Sequence, residues 1–386
     1  APSTSSEAPE HSASEREAIR LAVRRGAEYL VGSVQENGRF IYRINLDPSV
    51  RVKPTYNMLR HAGTMYALAT FQQRWPSPEV AAALEQAGAF LRRYMRPVPE
   101  NDAAVAVWES QAFEEAKLGG AGLALVGFVS SEHAIPGFVD AARLNRVGAF
   151  ITFMQKEDGG FYSKYFSEAG GRSDKWTSLY YPGEAALGLL MLHELVPSSG
   201  WLDAAVRALG YLANMRRGRA RVEPDHWALI ATGRLFTEHG TADWPHDKGL
   251  LRTHALQICE SVLAAEQDLD PKSPYFGSFH GDGRTTPAAT RLEGLIAALP
   301  LLEETYDADL KKRMKTAIRA GVRFLLDAQL KEGPYAGAVP RGVRKRAEEP
   351  DDSKFNRRVS EVRIDYVQHA MSAWMGYLDL VENGTI

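Results

Sequence analysis

"QKEDGGF", residues 155–161, is a short polar phrase closing on glycine and an aromatic ring, and the chain repeats it. "QENGRF" starts at Gln35, "QLKEGPY" at Gln329, and a looser copy, "QDLDPKSPYFGSF", at Gln267. The starts at 35, 155, 267 and 329 are spaced by close to two, two and one times a unit of about sixty residues. Self-similarity at a fixed period marks stacked supersecondary units, each burying its apolar face only against its neighbours. The 386 residues hold six such units.

Between the copies, apolar residues recur at i, i+3, i+4 and i+7 and the pattern breaks at Gly and Pro, which predicts helices in pairs. The first members, 14–34, 78–95, 138–155, 201–216, 250–267 and 309–329, are amphipathic. The second members, 61–73, 119–131, 183–195, 226–238, 290–305 and 366–381, are rich in Ala, Gly and Leu all round. A helix that is apolar on every side is packed on every side, whereas an amphipathic one keeps a face in water. Six inner helices ringed by six outer ones follow: an all-α (α/α)6 toroid, one domain over 14–386, with short hairpins in the connections. Residues 1–13 read as a disordered polar tether.

Composition narrows the function. The chain is 45% hydrophobic and 24% charged with a net charge of −2, and its basic residues are spread out, which argues against nucleic acid as a partner. The densest basic run, "RGVRKRAEEPDDSKFNRR" at 341–358, is interleaved with acids and reads as a solvated mobile loop. The single cysteine, Cys259, excludes an intramolecular disulfide and sits in a helical pattern unsuited to a catalytic thiol. No apolar run reaches the roughly 18 residues of a membrane span. The Ser-, Ala-, Pro- and Glu-rich start fits either the remnant of a signal peptide or lipid anchor or the loose end of a cytosolic protein, and the expectation is export, periplasmic or tethered at the outer membrane.

Inner helices alternating with antiparallel outer partners are parallel, so their N-termini open on one end of the ring. The first turns there carry Arg60 and His61, Tyr181 and Glu184, Asp225, His226 and Trp227, Arg291 and Glu293, and Asp365, Gln368 and His369. Each has a plain structural alternative: Asp225 and Asp365 as N-caps, Arg291 with Glu293 as an ion pair, the histidines as satisfied core residues. Their joint placement instead suggests a wet, concave site. The expected catalytic set is Glu184, Asp225, His226, Glu293, Asp365 and His369, and the expected substrate-binding set is Arg60, His61, Tyr181, Trp227, Arg291 and Gln368. The helix dipole should keep the acids ionised. Aromatic residues at the same mouths, among them Trp176, Tyr180 and Tyr366, suit the apolar faces of sugar rings. No metal-binding spacing such as HExxH occurs, so a zinc ion would need His and acid ligands from separate helices; this is a third option, and the expectation is no metal and no other cofactor.

This layout resembles the six-hairpin toroids of carbohydrate-active enzymes: glycoside hydrolases, polysaccharide lyases and sugar 2-epimerases. The Gln-Gly-aromatic phrase is also similar to the repeats of squalene cyclases and prenyltransferase subunits, although no DxDD or DDxxD run is present. The resemblance implies a carbohydrate substrate, of bacterial surface or exopolysaccharide origin. Hydrolysis would use two of the four carboxylates across a bond; elimination would use a His or Tyr base and an Arg. In the 2-epimerases that the layout resembles, histidines on the fourth and sixth inner helices exchange a proton and an arginine on the first holds the substrate; His226, His369 and Arg60 occupy those helices. The glutamate that family carries one turn after its histidine is replaced here. Hydrolysis or elimination stands first, because the tether points to export; epimerisation stands second and a non-catalytic toroid that binds glycan or protein third.

Overall fold

The computed structural model describes residues 8–386 apart from 169, 170, 245 and 268. Outer helices are α1 (Ala8–Gly32), α3 (Pro78–Arg92), α5 (Ala141–Phe153), α7 (Ser199–Arg216), α9 (Lys248–Gln267) and α11 (Ala308–Ala328). Inner helices are α2 (Met58–Arg74), α4 (Leu118–Ala134), α6 (Tyr181–Leu195), α8 (His226–His239), α10 (Thr285–Ala298) and α12 (Ile364–Glu382). Each inner helix packs on the next, and α12 packs back on α2, so the ring is closed and the fold is an (α/α)6 toroid. No helix among the described residues is long and apolar enough to cross a membrane.

Side-chain size sorts the two rings. In α4 every residue from Leu118 to Ser131 is buried, and Gly122 lets α6 approach so closely that a Cβ there would lie 2.6 Å from the Glu184 carbonyl. By contrast, α11 buries one stripe, Leu310, Met314, Ala317, Ile318, Gly321, Val322, Phe324 and Leu325, and turns its Lys and Arg outward.

The repeated phrase is a joint between successive outer helices. Gly159, at φ 92°, sits against the carbonyl of Arg207 in α7, where a Cβ would come within 2.6 Å. Gln155 donates its side-chain amide to Ala204 in the same helix. The copy after α11 does the same to α1, with Gly337 against the Arg25 carbonyl and Gln329 donating to the Ala22 carbonyl, and so the last unit locks onto the first. Two short strands reinforce the closure: β1 (Arg43–Asn45) pairs antiparallel with Glu361–Arg363, Ile44 opposite Val362. The hairpin of β2 (Met95–Val98) with β3 (Asn101–Val107) packs on α5, and β4 (Glu115–Lys117), β5 (Lys164–Phe166) and β6 (Gly171–Ser173) form a three-stranded patch. The strand at Glu361–Arg363 is β7.

Three boundaries differ from expectation by about five residues or more. The fifth inner helix starts at Thr285 rather than 290, because Pro287 falls in its first turn where a missing N–H costs nothing. It ends at Ala298 in a 3-10 turn, Leu299–Leu301, built around Pro300. Helix α1 already runs from Ala8, inside the polar segment read as a tether; the rest of that segment, 1–7, lies outside the described residues. A larger revision concerns 341–358, whose charged residues are mostly exposed as expected but whose ends are held to the body of the protein. Asn356 is buried beneath it and donates to the carbonyls of Arg346, Glu349 and Pro350, while Arg346 lies over the Phe355 ring.

Candidate functional site

All six inner helices contribute to one cavity of about 650 Å³ at their N-terminal end, α4 only through Leu123. Among the expected residues, Arg60, Tyr181, Glu184, His226, Trp227, Arg291, Asp365, Gln368 and His369 lie on its wall. Glu293 stands behind His369, its Oε2 2.7 Å from Nδ1 of that ring. Two residues are elsewhere. Asp225 is fully buried, capping Ala228 through Oδ1 and pairing through Oδ2 with Arg216 of the outer ring at 2.7 Å; Arg216 also donates to Nε2 of His254. His61 is a core histidine. Its Nε2 donates to the Ala87 carbonyl, so Nδ1 accepts from the Tyr56 hydroxyl, and burial lowers its pKa to about 4. The alternative pairing at α10 does not occur: Arg291 donates to the Phe279 carbonyl instead of to Glu293.

The wall histidines are neighbours. The rings of His226 and His369 meet edge to face with centroids 5.5 Å apart, flanked by Tyr180 and Trp227. Both nitrogens of His226 are buried without a hydrogen-bond partner. Desolvation first, then the nearby His369 and Arg291, push its pKa well below 6.5, so it is a neutral base with free lone-pair capacity. His226, Glu293 and His369 also offer ligand atoms all within 4.8 Å of one another, a spacing that suits a divalent cation.

Glu184 reverses the expectation that helix N-termini keep these acids ionised. It is buried at the start of α6, its Oε2 has no partner, and desolvation together with the charge of Asp225 raises its pKa to about 8. At neutral pH it is a carboxylic acid able to donate a proton. Asp365 behaves oppositely. Despite burial, Arg363 grips both its oxygens at 2.5 and 2.8 Å and Arg60 adds a bond of 3.0 Å, which hold its pKa down at about 2.

Sequence reasoning missed the arginines. Arg284, Arg341, Arg358 and Arg363 share the wall with Arg60 and Arg291. Two of these, Arg341 and Arg358, bound the run read as a solvated loop, and no local pattern marks them, because strand pairing of β7 and the bridge between Arg284 and Gly342 bring them in. Trp176 stands half exposed at the rim, its ring 5.6 Å from that of Tyr181.

No protein-family profile and no curated protein sequence matches the chain. Solved structures do. A cellobiose 2-epimerase from Spirochaeta thermophila superposes with a TM-score of 0.68 at 13% identity, covering 98% of this chain and 100% of its own. A GH76 alpha-mannanase from Bacteroides thetaiotaomicron gives 0.59 at 12% identity over 94% and 97% of the two chains. A type II terpene cyclase from Scytonema gives 0.56 at 16% over 95% and 99%. One fold thus serves three chemistries, and identities this low carry architecture without activity. What the chain shares with these enzymes is the (α/α)6 toroid.

Proposed function

We propose that the protein is a carbohydrate-active enzyme that moves a proton on and off a carbon next to a carbonyl group, as in sugar epimerisation or isomerisation. The observation that carries this reading is the His226–His369 pair on the cavity wall, one ring free of partners and the other held by Glu293. One neutral imidazole takes the proton and becomes imidazolium, while Glu184 gives its proton to the enediolate oxygen beside the Arg60 or Arg291 guanidinium. An imidazolium then returns a proton to carbon as the enediol O–H gives its proton back to Glu184 and the carbonyl re-forms. Return to the opposite face inverts the centre, and return to the neighbouring carbon isomerises the sugar. Glu293 fixes the His369 ring through Nδ1, so Nε2 is the atom left for chemistry.

Hydrolysis, one of the two chemistries expected first, loses support to epimerisation in this reading. It needs two carboxyl groups across a bond, yet Asp225 faces the outer ring, Asp365 is clamped by two arginines and Glu293 is engaged by His369. Only Glu184 keeps an oxygen without a partner.

Incubation of free aldoses in deuterated water tests the proposal. Deuterium should enter the carbon next to the carbonyl with wild type and fail to enter with His226→Asn or His369→Asn, folding being checked by circular dichroism. Release of new reducing ends from oligosaccharides without any exchange would sink it in favour of hydrolysis. A divalent cation on His226, Glu293 and His369 is the competing use of the same atoms, favoured by their spacing; exchange that stops after chelation and returns with metal would establish it.

A further inference from the structure

The net charge of −2 conceals a local imbalance. Six guanidinium groups line one cavity whose wall carries only two carboxyl groups, Glu184 and Asp365. Asp365 is consumed by Arg60 and Arg363. Behind the wall, Asp282 pairs with Arg284, and Glu361 with Arg358. Arg291 and Arg341 have no carboxylate partner among the described residues. Arg291 spends one N–H on the Phe279 carbonyl, whereas Nη1 of Arg341 is buried with no partner at all, its guanidinium lying over the Phe355 ring.

These groups share one wall of the cavity. The Arg291 charge reaches His226, Arg284 acts on both Arg291 and Arg341, and Arg358 acts on Arg341. Desolvation first, then the neighbouring arginines, lower the pKa values of Arg291 and Arg341, against the opposing charges of Asp282 and Glu266 near the one and Glu361 near the other. On the same wall, α10 begins without a side-chain cap, Arg284 being its N-cap residue, and Thr286 in its first turn has a buried hydroxyl without a partner. The Thr285 N–H is already given to the Arg341 carbonyl and Pro287 has none, so Thr286 supplies what this helix start offers to an anion. A neutral sugar hydroxyl could accept from Arg341 Nη1 but would bring no counter-charge to the guanidinium. An acid group on the sugar would supply that charge through charge-assisted, bidentate bonds.

We infer that the cavity takes an acidic sugar, its carboxylate, sulfate or phosphate seated between Arg291 and Arg341 beside Thr286, with the reacting carbon toward His226. This deepens the proton-transfer reading by naming the substrate class at the same site. The planar fork of arginine suits all three oxyanions, so the shared chemistry is a tetrahedral or planar anion carried on a sugar ring.

Calorimetric titration of the full chain with D-glucuronate, glucose 6-sulfate, glucose 6-phosphate, D-glucose and inorganic sulfate tests it. At least one acid sugar should bind about tenfold or more tightly than glucose, and the advantage should shrink as NaCl rises from about 50 to about 500 mM. Arg341→Gln, and separately Arg291→Gln, should abolish the preference while leaving the circular dichroism spectrum unchanged. The preferred acid identifies the group. Equal binding of glucose and the acid sugars, failure of every acid sugar to bind, inorganic sulfate binding as tightly as the best acid sugar, or an unchanged preference in Arg341→Gln would each overturn the inference. The two proposals fail separately: an acid sugar that binds but never exchanges deuterium leaves this one standing, and exchange on neutral aldoses with no preference for acids leaves only the other.

Discussion

Nδ1 of His369 lies 2.7 Å from Oε2 of Glu293, a contact between α12 and α10 that settles which nitrogen of the ring faces the cavity. A carboxyl group on Nδ1 holds the ring orientation. The 2-epimerases that this layout resembles carry a glutamate one turn after their histidine; here that position beside His226 is Ile230, and the carboxylate comes from a different helix to a different histidine.

Replacing Glu293 with Gln keeps the shape and removes the charge. In the deuterium-exchange assay kcat should fall by about 100-fold, toward the lower end of what a general acid–base group contributes, with KM little changed because Glu293 stands behind the wall. His369→Asn should lower kcat further. An unchanged kcat in Glu293→Gln would reduce the contact to packing.

Glu184 gives a pH signature. Its pKa in the fold is about 8, raised by burial and by Asp225, against 4.5 in an exposed chain. The protonated form is the donor, so activity should fall as pH rises through about 8. The stability sign follows from proton counting. The folded state holds the proton between 4.5 and about 8 and the unfolded state does not, so this group's stabilising contribution is full below 4.5 and is lost as pH rises through about 8. Glu184→Gln, which cannot ionise, should therefore gain melting temperature relative to wild type between pH 5 and pH 8. A constant difference across that window would mean that Glu184 is ionised in the fold.

At the rim, Trp176 is half exposed and its ring packs on Tyr181, a wall residue. An aromatic face at a polar cleft stacks on a sugar ring, worth about 1 kcal/mol. Trp176→Ala should raise KM about fivefold with kcat intact, read from initial rates of exchange. A loss in kcat alone would assign the ring to closing the site instead.

The pairing of helices was legible because burial writes itself into local composition: α4 is small and apolar throughout, and α11 shows one stripe. The ring of mouths followed from topology alone, and it placed His226, His369 and Glu184 near one another without any contact being known. What escaped is non-local. Arg341 and Arg358 reach the wall because a buried Asn356 and the pairing of β1 with β7 fold their segment inward, and charge interleaving looks the same in a solvated loop. The direction of the Glu184 pKa escaped for a related reason. The helix dipole is local and favours the anion, whereas the burial that overrides it depends on packing of α6 against α4 and α8.

Asp225 shows how a residue at the right mouth can serve the scaffold. Its Oδ2 meets Arg216 at 2.7 Å, both side chains are buried, and the pair ties the start of α8 to the end of α7. Asparagine can still cap Ala228 through its carbonyl oxygen, but it removes the counter-charge and leaves Arg216 buried beside His254, whose pKa is already lowered to about 3 by desolvation and by that same arginine. Breaking a buried pair from one side typically costs about 3 to 5 kcal/mol. Asp225→Asn should therefore lose stability of that order in urea denaturation, with exchange activity preserved in the folded protein at low temperature. Arg216→Gln should cost a similar amount, and the double variant should be more stable than the sum of the two predicts, because the second substitution removes the stranded charge left by the first. A fully stable Asp225→Asn without activity would return Asp225 to the chemistry, acting through the charge it places near Glu184.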